Sequence, residues 1–288
     1  MTFMIILTIL TVLILLCLAV VVWDCHHFVV RKYSVTSPKI TRDFKFVLLT
    51  DLHNNTFGKN NQKLLDAVCN IEPDFVVIGG DIYTAICGKS MTDVAVAFVT
   101  ELAGKFPVYF ANGNHEQKTK ESVEEFGNVY EDFISEFCKA QGHFLCNEST
   151  DIEELNTRIT GLALPFEYYK KFINIHPDKS ILNEMLNEPS KDRYNILIAH
   201  NPEYFPDYAD WGAELVLSGH FHGGLVRLPF IGGIVSPRYK LFPKYDAGMY
   251  KKEASTMILS CGLGTHTLPI RFNNPGEISL VEVRKNRI

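Results

Sequence analysis

Five short polar stretches, each standing where an apolar run stops, constrain this chain more than any other feature. They are Thr50-Asp51-Leu52-His53, Gly79-Gly80-Asp81, Gly113-Asn114-His115-Glu116, Ala199-His200-Asn201 and Gly219-His220-Phe221-His222-Gly223-Gly224. Four of them come after Phe46-Val47-Leu48-Leu49, Phe75-Val76-Val77-Ile78, Ile196-Leu197-Ile198 and Leu215-Val216-Leu217. Short continuous apolar runs of this kind read as buried strands. In a layered α/β protein the last residues of such strands emerge at one sheet edge, where ligands bind. Asp, Asn and His side chains far apart in the chain are thereby brought to one place. Carboxylate, amide and imidazole together are the donor set for a pair of divalent transition metals.

The rest of the composition sets the frame. Of the 288 residues, roughly 245–260 remain once an N-terminal apolar segment is set aside, enough for one well-buried domain. A hydrophobic content of 47% with 21% charged residues excludes an intrinsically disordered chain. The net charge is −5 and no basic run is present, so nucleic acid is not expected as a partner. A polyanionic substrate would be drawn by local metal charge, not by the field of the whole protein. The seven cysteines form no CxxC pair and read as reduced thiols used as small apolar residues. That favours a reducing compartment for the soluble part.

Phe3 to Trp23 is apolar apart from Thr8, Thr11 and Cys17. A helix of about 20 such residues crosses a ~30 Å hydrocarbon core, with Trp23 at the interface. No Lys or Arg precedes the run and no small-x-small site comes after it, so a retained anchor is expected over a cleaved signal peptide. The expected organisation is an anchor at 1–24, a juxtamembrane linker at 25–43 and one domain at 44–288. Arg31, Lys32, Lys39, Arg42 and Lys45 come after the span, which predicts a single-pass membrane protein with its domain facing the cytoplasm. His26 and His27 beside Asp24 and Cys25 read as interfacial polarity.

Along the domain, strands are predicted over Phe44–Thr50, from Phe75, and over Pro107–Ala111, Phe144–Cys146, Arg158–Leu162, Asn195–Ala199 and Leu215–Ser218. Helices are predicted over Asn60–Asn70, Met91–Ala103, Glu121–Ala140 and Lys179–Asn187, with a linker at Ser34–Thr41. A β-like end spans Gly224–Leu228, Met257–Ser260 and Ile278–Val283. Alternation first and a β-rich end later predict two face-to-face sheets with helices outside.

The polar stretches then acquire roles. Asp51 and His53 are two apart at a strand end, where i and i+2 point to the same side; His220 and His222 share that spacing, at a strand end or on a turn. Asp81 stands after two glycines that permit a sharp turn and a close approach, which suits a carboxylate bridging two ions. Asn114 adds a neutral amide oxygen. His200, His220 and His222 supply imidazole, which suits Zn, Fe, Ni or Mn better than Ca.

Taken in order, Asp51-x-His53, Gly80-Asp81, Gly113-Asn114-His115-Glu116, His200 and Gly219-His220-x-His222 resemble the signature of calcineurin-like metallophosphoesterases, from about Phe44 to Val283. The resemblance implies a four-layer αββα sandwich behind one N-terminal transmembrane helix. It implies two divalent ions (Mn²⁺, Fe²⁺ or Zn²⁺), one on Asp51, His53, Asp81 and His222, the other on Asp81, Asn114, His200 and His220. It also implies that His115 is catalytic, and that Asn114 and His115 meet the substrate phosphate. The implied reaction is hydrolysis of a phosphodiester or pyrophosphate by a hydroxide shared between the ions.

Leu217 to Gly224 with Arg227-Leu228-Pro229, and Gly262-Leu263-Gly264-Thr265 with Leu268 to Phe272, are similar to bacterial membrane-anchored phosphodiesterases. Some of those cleave UDP-2,3-diacylglucosamine, which makes a lipid-linked substrate a candidate. One departure stands out: Thr84 replaces the acidic residue that many members carry near the catalytic histidine, and Glu116 is the candidate substitute partner for His115. The alternatives are a catalytically silent tethered binding protein, a nuclease or a protein phosphatase. His143 and His176 have no supporting context. His266 is a candidate pocket residue, and Leu164–Phe172 with Tyr168 and Tyr169 a candidate lid or acyl-chain contact.

Overall fold

A computed structural model of the chain describes residues 1–86, 89–90, 92–170, 175–235, 241–265 and 268–286. Cys87, Met91, Phe172 and His266 therefore lie outside the described residues. Twelve strands build the frame: β1 (Phe28–Ser37), β2 (Phe44–Leu49), β3 (Phe75–Ile78), β4 (Val108–Phe110), β5 (His143–Phe144), β6 (Glu148–Ile152), β7 (Thr157–Leu162), β8 (Tyr194–Ala199), β9 (Leu215–Ser218), β10 (Gly248–Lys252), β11 (Ser255–Leu259) and β12 (Gly276–Lys285). They form two six-stranded sheets, ordered β1-β12-β2-β3-β4-β5 and β10-β11-β9-β8-β7-β6.

Strand pleat explains how one apolar run serves two layers. Successive side chains point to opposite faces. Phe46 and Leu48 of β2 join Phe75 and Val77 of β3 in a core that also takes Ile196, Ile198, Leu215 and Leu217 of the other sheet. Val47, Leu49, Val76 and Ile78 turn the other way, onto Leu64, Val68, Phe98, Leu102, Phe133 and Phe137 of the helices Gln62–Ile71, Asp93–Ala103 and Val129–Lys139. On the far side, Leu197, Val216, Met257 and Leu259 meet Leu182, Leu186, Phe205, Tyr208 and Trp211 of Lys179–Leu186 and Phe205–Trp211. Three apolar layers between two sheets and two helical shells make the expected αββα sandwich. At its centre Phe46 and Phe75 stack with ring centroids 4.9 Å apart, and truncating either would cost about 3–5 kcal/mol.

Several boundaries differ from expectation. The helix expected over Glu121–Ala140 breaks at Gly127, whose φ of 63° is left-handed, into Val123–Phe126 and Val129–Lys139. More consequential is the stretch expected to be a linker within 25–43. Phe28–Ser37 is an edge strand, paired in parallel with β12 from Phe28↔Gly276 to Ser37↔Lys285. Its charges, Arg31 and Lys32, suit an edge, and basic residues in it and just after it are tied down. Arg31 lies 3.4 Å from Glu277, Lys39 3.0 Å from Glu214 and Arg42 2.8 Å from Asp74.

The helix Thr2–His26 precedes β1 by one residue and is long and apolar enough to cross a membrane. At ~1.5 Å rise per residue its 25 residues reach about 37 Å. The six described cysteines are free thiols.

Candidate metal centre

Topology delivers the polar stretches to one rim. β2, β3 and β4 run parallel in one sheet, and β7, β8, β9 and β11 in the other. Asp51 and His53 leave the end of β2, Asp81 the end of β3, Asn114 the end of β4, His200 the end of β8, and His220 and His222 the end of β9. Asp51 and His53 meet, while His222 joins them and His220 joins Asp81 and His200; neither pair is set by strand geometry. Asp51, His53, Asp81, His220 and His222 have φ of 52°, 48°, 55°, 72° and 50°. The chain has left the pleat for successive left-handed turns, a conformation that Asp, Asn and His adopt more readily than other side-chain-bearing residues and that clusters at functional sites. This corrects the strand-end expectation.

The donor atoms converge. His222 Nε2 lies 3.3 Å from Asp51 Oδ1, and His53 Nε2 lies 4.0 Å from it. His53 Nε2 and His222 Nε2 are 3.2 Å apart. Asp81 Oδ2 lies 3.1 Å from His200 Nε2 and 3.8 Å from His53 Nε2. Asp51, His53 and His222 form one group of donor atoms mutually within 4.8 Å; Asp81, His200 and His220 form another; His53, Asp81 and His115 form a third.

Three imidazoles are oriented from behind. His200 Nδ1 is 2.7 Å from Gly79 O, His222 Nδ1 is 3.2 Å from Gly264 O, and His53 Nδ1 is 3.1 Å from Thr84 Oγ1. With Nδ1 donating to these oxygens, Nε2 is in each case the atom that faces the centre, the usual arrangement around a ligated ion.

Asp81 sits where the loops are tightest. Gly80 has φ of 93°, and a Cβ there would lie 2.3 Å from Gly113 N; a Cβ on Gly113 would lie 2.2 Å from Asp81 Oδ1. Only glycines let the β3 and β4 loops touch. Glu116 then fastens them: its carboxylate accepts the N–H of Asp81 at 2.8 Å, of Ile82 at 2.9 Å and of Gly113 at 2.9 Å. Glu116 is thus a loop clamp, with both carboxylate oxygens engaged by backbone N–H groups. Burial raises its carboxyl to about 7, with Asp81 adding to the rise and the three N–H groups opposing it. Burial also pushes the Asp81 carboxyl up, but facing His200, His115 and His53 outweigh it and hold the group well below the usual range. His200 answers: burial pulls it down, Asp81 and Asp51 pull it up further, and it reaches about 10.

His115 is held differently. Its Nδ1 accepts the N–H of Ala85 at 2.9 Å, so the neutral ring carries its proton on Nε2; its own N–H donates to Asp81 Oδ1 at 2.8 Å. Thr84 serves His53, and the Ala85 amide beside it fixes His115. Asn114 Oδ1 is sheltered from solvent with no hydrogen-bond partner among the described residues. A buried acceptor left bare costs roughly 1–3 kcal/mol, and a cation beside it would satisfy it. The donor set and this bare oxygen fit divalent metal binding.

Among the described residues, the remaining histidines stand apart. His143 stacks on Tyr109, His176 Nδ1 lies 3.3 Å from Asp207 Oδ2, and His26 and His27 bond to Val22 O and Trp23 O. Tyr169, expected in a lid, is buried with its ring 5.4 Å from that of His220; it packs behind the cluster.

Sequence reasoning missed the supports behind the ligand loop. Asn274 donates its amide to His222 O at 2.6 Å and Gly224 O at 2.8 Å, and its own N–H goes to Asp24 Oδ2 at 2.8 Å. The buried Arg271 guanidinium donates to Gly264 O, Cys261 O and Asn274 O. Arg271 falls in the Leu268–Phe272 stretch singled out by resemblance but without a role, and Asn274 sits in no such stretch.

Comparison with known proteins agrees with this geometry. Residues 44–224 match the family described as calcineurin-like phosphoesterases. The metallophosphoesterase YkuE of Bacillus subtilis is 26% identical over 90% of this chain and 86% of its own length. The phosphodiesterase YaeI of Escherichia coli is 25% identical over 83% of this chain and 82% of its own. A transmembrane protein with metallophosphoesterase domain from Bos taurus is 26% identical over 84% of this chain and 53% of its own.

Proposed function

The chain belongs to the calcineurin-like phosphoesterase family and is a metal-dependent phosphoester hydrolase, and from that premise we propose a membrane-anchored, two-ion enzyme acting on phosphodiester or pyrophosphate bonds. Asp51, His53, Asp81 and His222 would hold one ion, and Asp81, Asn114, His200 and His220 the other. The observation that carries this reading is Asp81, whose one carboxylate lies 3.1 Å from His200 Nε2 and 3.8 Å from His53 Nε2. A carboxylate so placed serves two imidazole-rich pockets at once. Divalent ions bound there lower the pKa of water and neutralise charge on phosphoryl oxygens.

The chain's own groups do the rest. The Nδ1 atoms pinned at Gly79, Gly264 and Thr84 keep three imidazoles aimed inward. His115, its Nδ1 occupied by the Ala85 N–H, would donate an Nε2–H hydrogen bond to a phosphoryl or leaving-group oxygen, and its proposed catalytic role is to stabilise the charge that develops there. Asn114, at the first turn of the helix Asn114–Glu121, would meet the same phosphate with its amide. No serine or cysteine nucleophile is required.

Anchoring is proposed through Thr2–His26, with the domain on the cytoplasmic side from the basic residues beyond it. The helix joins the sheet almost without a spacer, which supports a substrate at the bilayer surface, a lipid-linked phosphodiester or pyrophosphate such as UDP-2,3-diacylglucosamine. The proposed domain boundary is correspondingly revised to begin at β1. The test is hydrolysis of bis-p-nitrophenyl phosphate by the full chain: loss with chelator and recovery with Mn²⁺ are expected. Metal-independent turnover, or none under any metal, would overturn the reading, the latter in favour of a silent binding protein.

A further inference from the structure

Soluble domains rarely expose large contiguous apolar patches, and those they expose mark interaction surfaces. Here one lies beside the ligand loop. The chain from Leu228 to Val235 carries no charged residue. It forms a small hairpin, Arg227–Leu228 against Gly232–Gly233, whose tip holds Phe230 (109% exposed) and Ile231 (60%). Phe230 takes a left-handed φ of 67°, which keeps a bulky ring outward at the turn. Leu241 and Phe242 are likewise exposed, at 68% and 62%, and Phe242 N bonds back to Ile234 O. Leu268 and Ile270 extend the patch from a second loop. That loop is zipped to the hairpin by Arg227 N to Phe272 O and Phe272 N to Leu225 O, both 3.0 Å. The hairpin's one charge, Arg227, is turned inward, 3.1 Å from Asp246 and 2.9 Å from Gly223 O.

The position of this patch singles out its partner. Cys25 Sγ, in the last turn of the apolar helix, lies 3.5 Å from Pro269 O, between Leu268 and Ile270. Asp24 Oδ2 accepts Asn274 N–H at 2.8 Å, and His27 O accepts Gly276 N–H at 2.9 Å. The patch therefore stands level with the end of the helix, where exposed Trp23 marks a membrane interface. Arg271, buried and bonded to four carbonyls, holds the loop firmly there.

We propose that the hairpin at 227–233, with Leu241, Phe242, Leu268 and Ile270, lies in the interface of the bilayer that the N-terminal helix spans, as a second, non-spanning membrane contact. This rests on the anchoring reading above. Two points of attachment fix the tilt of the domain, where a helix alone would leave it free to turn. The ligand loop at 219–224, which runs directly into the hairpin, is then held at the level of lipid headgroups, and the phosphoester presented to it is one carried on a lipid.

The full chain in phosphatidylcholine–phosphatidylglycerol vesicles tests this with bromine-labelled acyl chains. Phe230→Trp in a Trp23→Phe background should lose at least half its added fluorescence to bromines near the headgroup, while buried Trp211 stays unquenched. Quenching of Trp23 in the parent chain without quenching at Phe230→Trp would overturn the second contact and leave the anchor standing. A chain whose Trp23 is unquenched and which does not float with vesicles would overturn the anchor itself. As a second measurement, Phe230→Asp with Ile231→Asp should keep bis-p-nitrophenyl phosphate hydrolysis within twofold. The same pair should lower hydrolysis of vesicle-borne p-nitrophenyl hexadecyl phosphate at least tenfold. Equal rates on the vesicle-borne ester for parent and variant would overturn the proposal.

Discussion

Replacing Glu116 by Gln probes the link between loop architecture and metal binding. The Glu116 carboxylate is fully buried and accepts three amides, those of Asp81 and Gly113 on one oxygen and that of Ile82 on the other. Gln keeps one carbonyl oxygen. In its best orientation that oxygen retains the Asp81 and Gly113 amides, and the new NH₂ faces the Ile82 N–H. A stranded buried donor costs about 1–3 kcal/mol, and the two surviving bonds lose their charge-assisted part, about 1 kcal/mol each. Relief of the buried carboxylate, whose pKa burial lifts to about 7, offsets part of this. A net loss of about 1–3 kcal/mol is expected, which at roughly 2–4 °C per kcal/mol for a domain of this size lowers Tm by about 2–12 °C. Because the Asp81 and Gly113 amides set the two ligand loops, metal affinity should fall about 10–100-fold. Calorimetry of the chelated protein and a Mn²⁺ titration read both effects. Unchanged Tm and affinity with a displaced pH–rate profile would refute the clamp and return Glu116 to the role of partner for His115.

His115→Ala should keep its metal content and lower kcat about 10²–10³-fold on bis-p-nitrophenyl phosphate; loss of metal would instead make His115 a ligand. Asn274→Ala removes the donors to His222 O and Gly224 O. It should destabilise the chain by about 2–4 kcal/mol and speed amide exchange across 219–224; a wild-type exchange pattern there would show that Asn274 does not support the loop.

The central strands and the candidate ligands were legible because both signals are local. A run such as Phe75-Val76-Val77-Ile78 can satisfy its backbone and its apolar surface only deep in a sheet, and the polar residues just beyond it must surface at the edge. The features that escaped were non-local or unpatterned. β1 pairs with a strand near the other end of the chain, and its charged residues mimic a linker. β6 and β10 are edge strands of the second sheet, polar and half-exposed. The helix Asn114–Glu121 has almost no apolar residue to mark it; its Glu116 and Thr119 are buried by hydrogen bonding, not by hydrophobicity. The i, i+2 spacing brings Asp51 and His53 into one donor group but divides His220 and His222 between two, and the residues turn for a reason other than the pleat. Left-handed turns, not the pleat, bring them together, and no periodicity encodes those. Gly79 O, Gly264 O and Asn274 act through backbone carbonyl and amide groups whose placement only the fold reveals.

Elemental analysis of the full chain purified under metal-replete conditions, beside Asp81→Asn, bears most directly on the shared carboxylate. Two equivalents of divalent transition metal per wild-type chain are expected, and at most one in the variant, with hydrolysis nearly abolished. Two equivalents and near-normal turnover in Asp81→Asn, or a wild-type chain that takes up no metal, would contradict it.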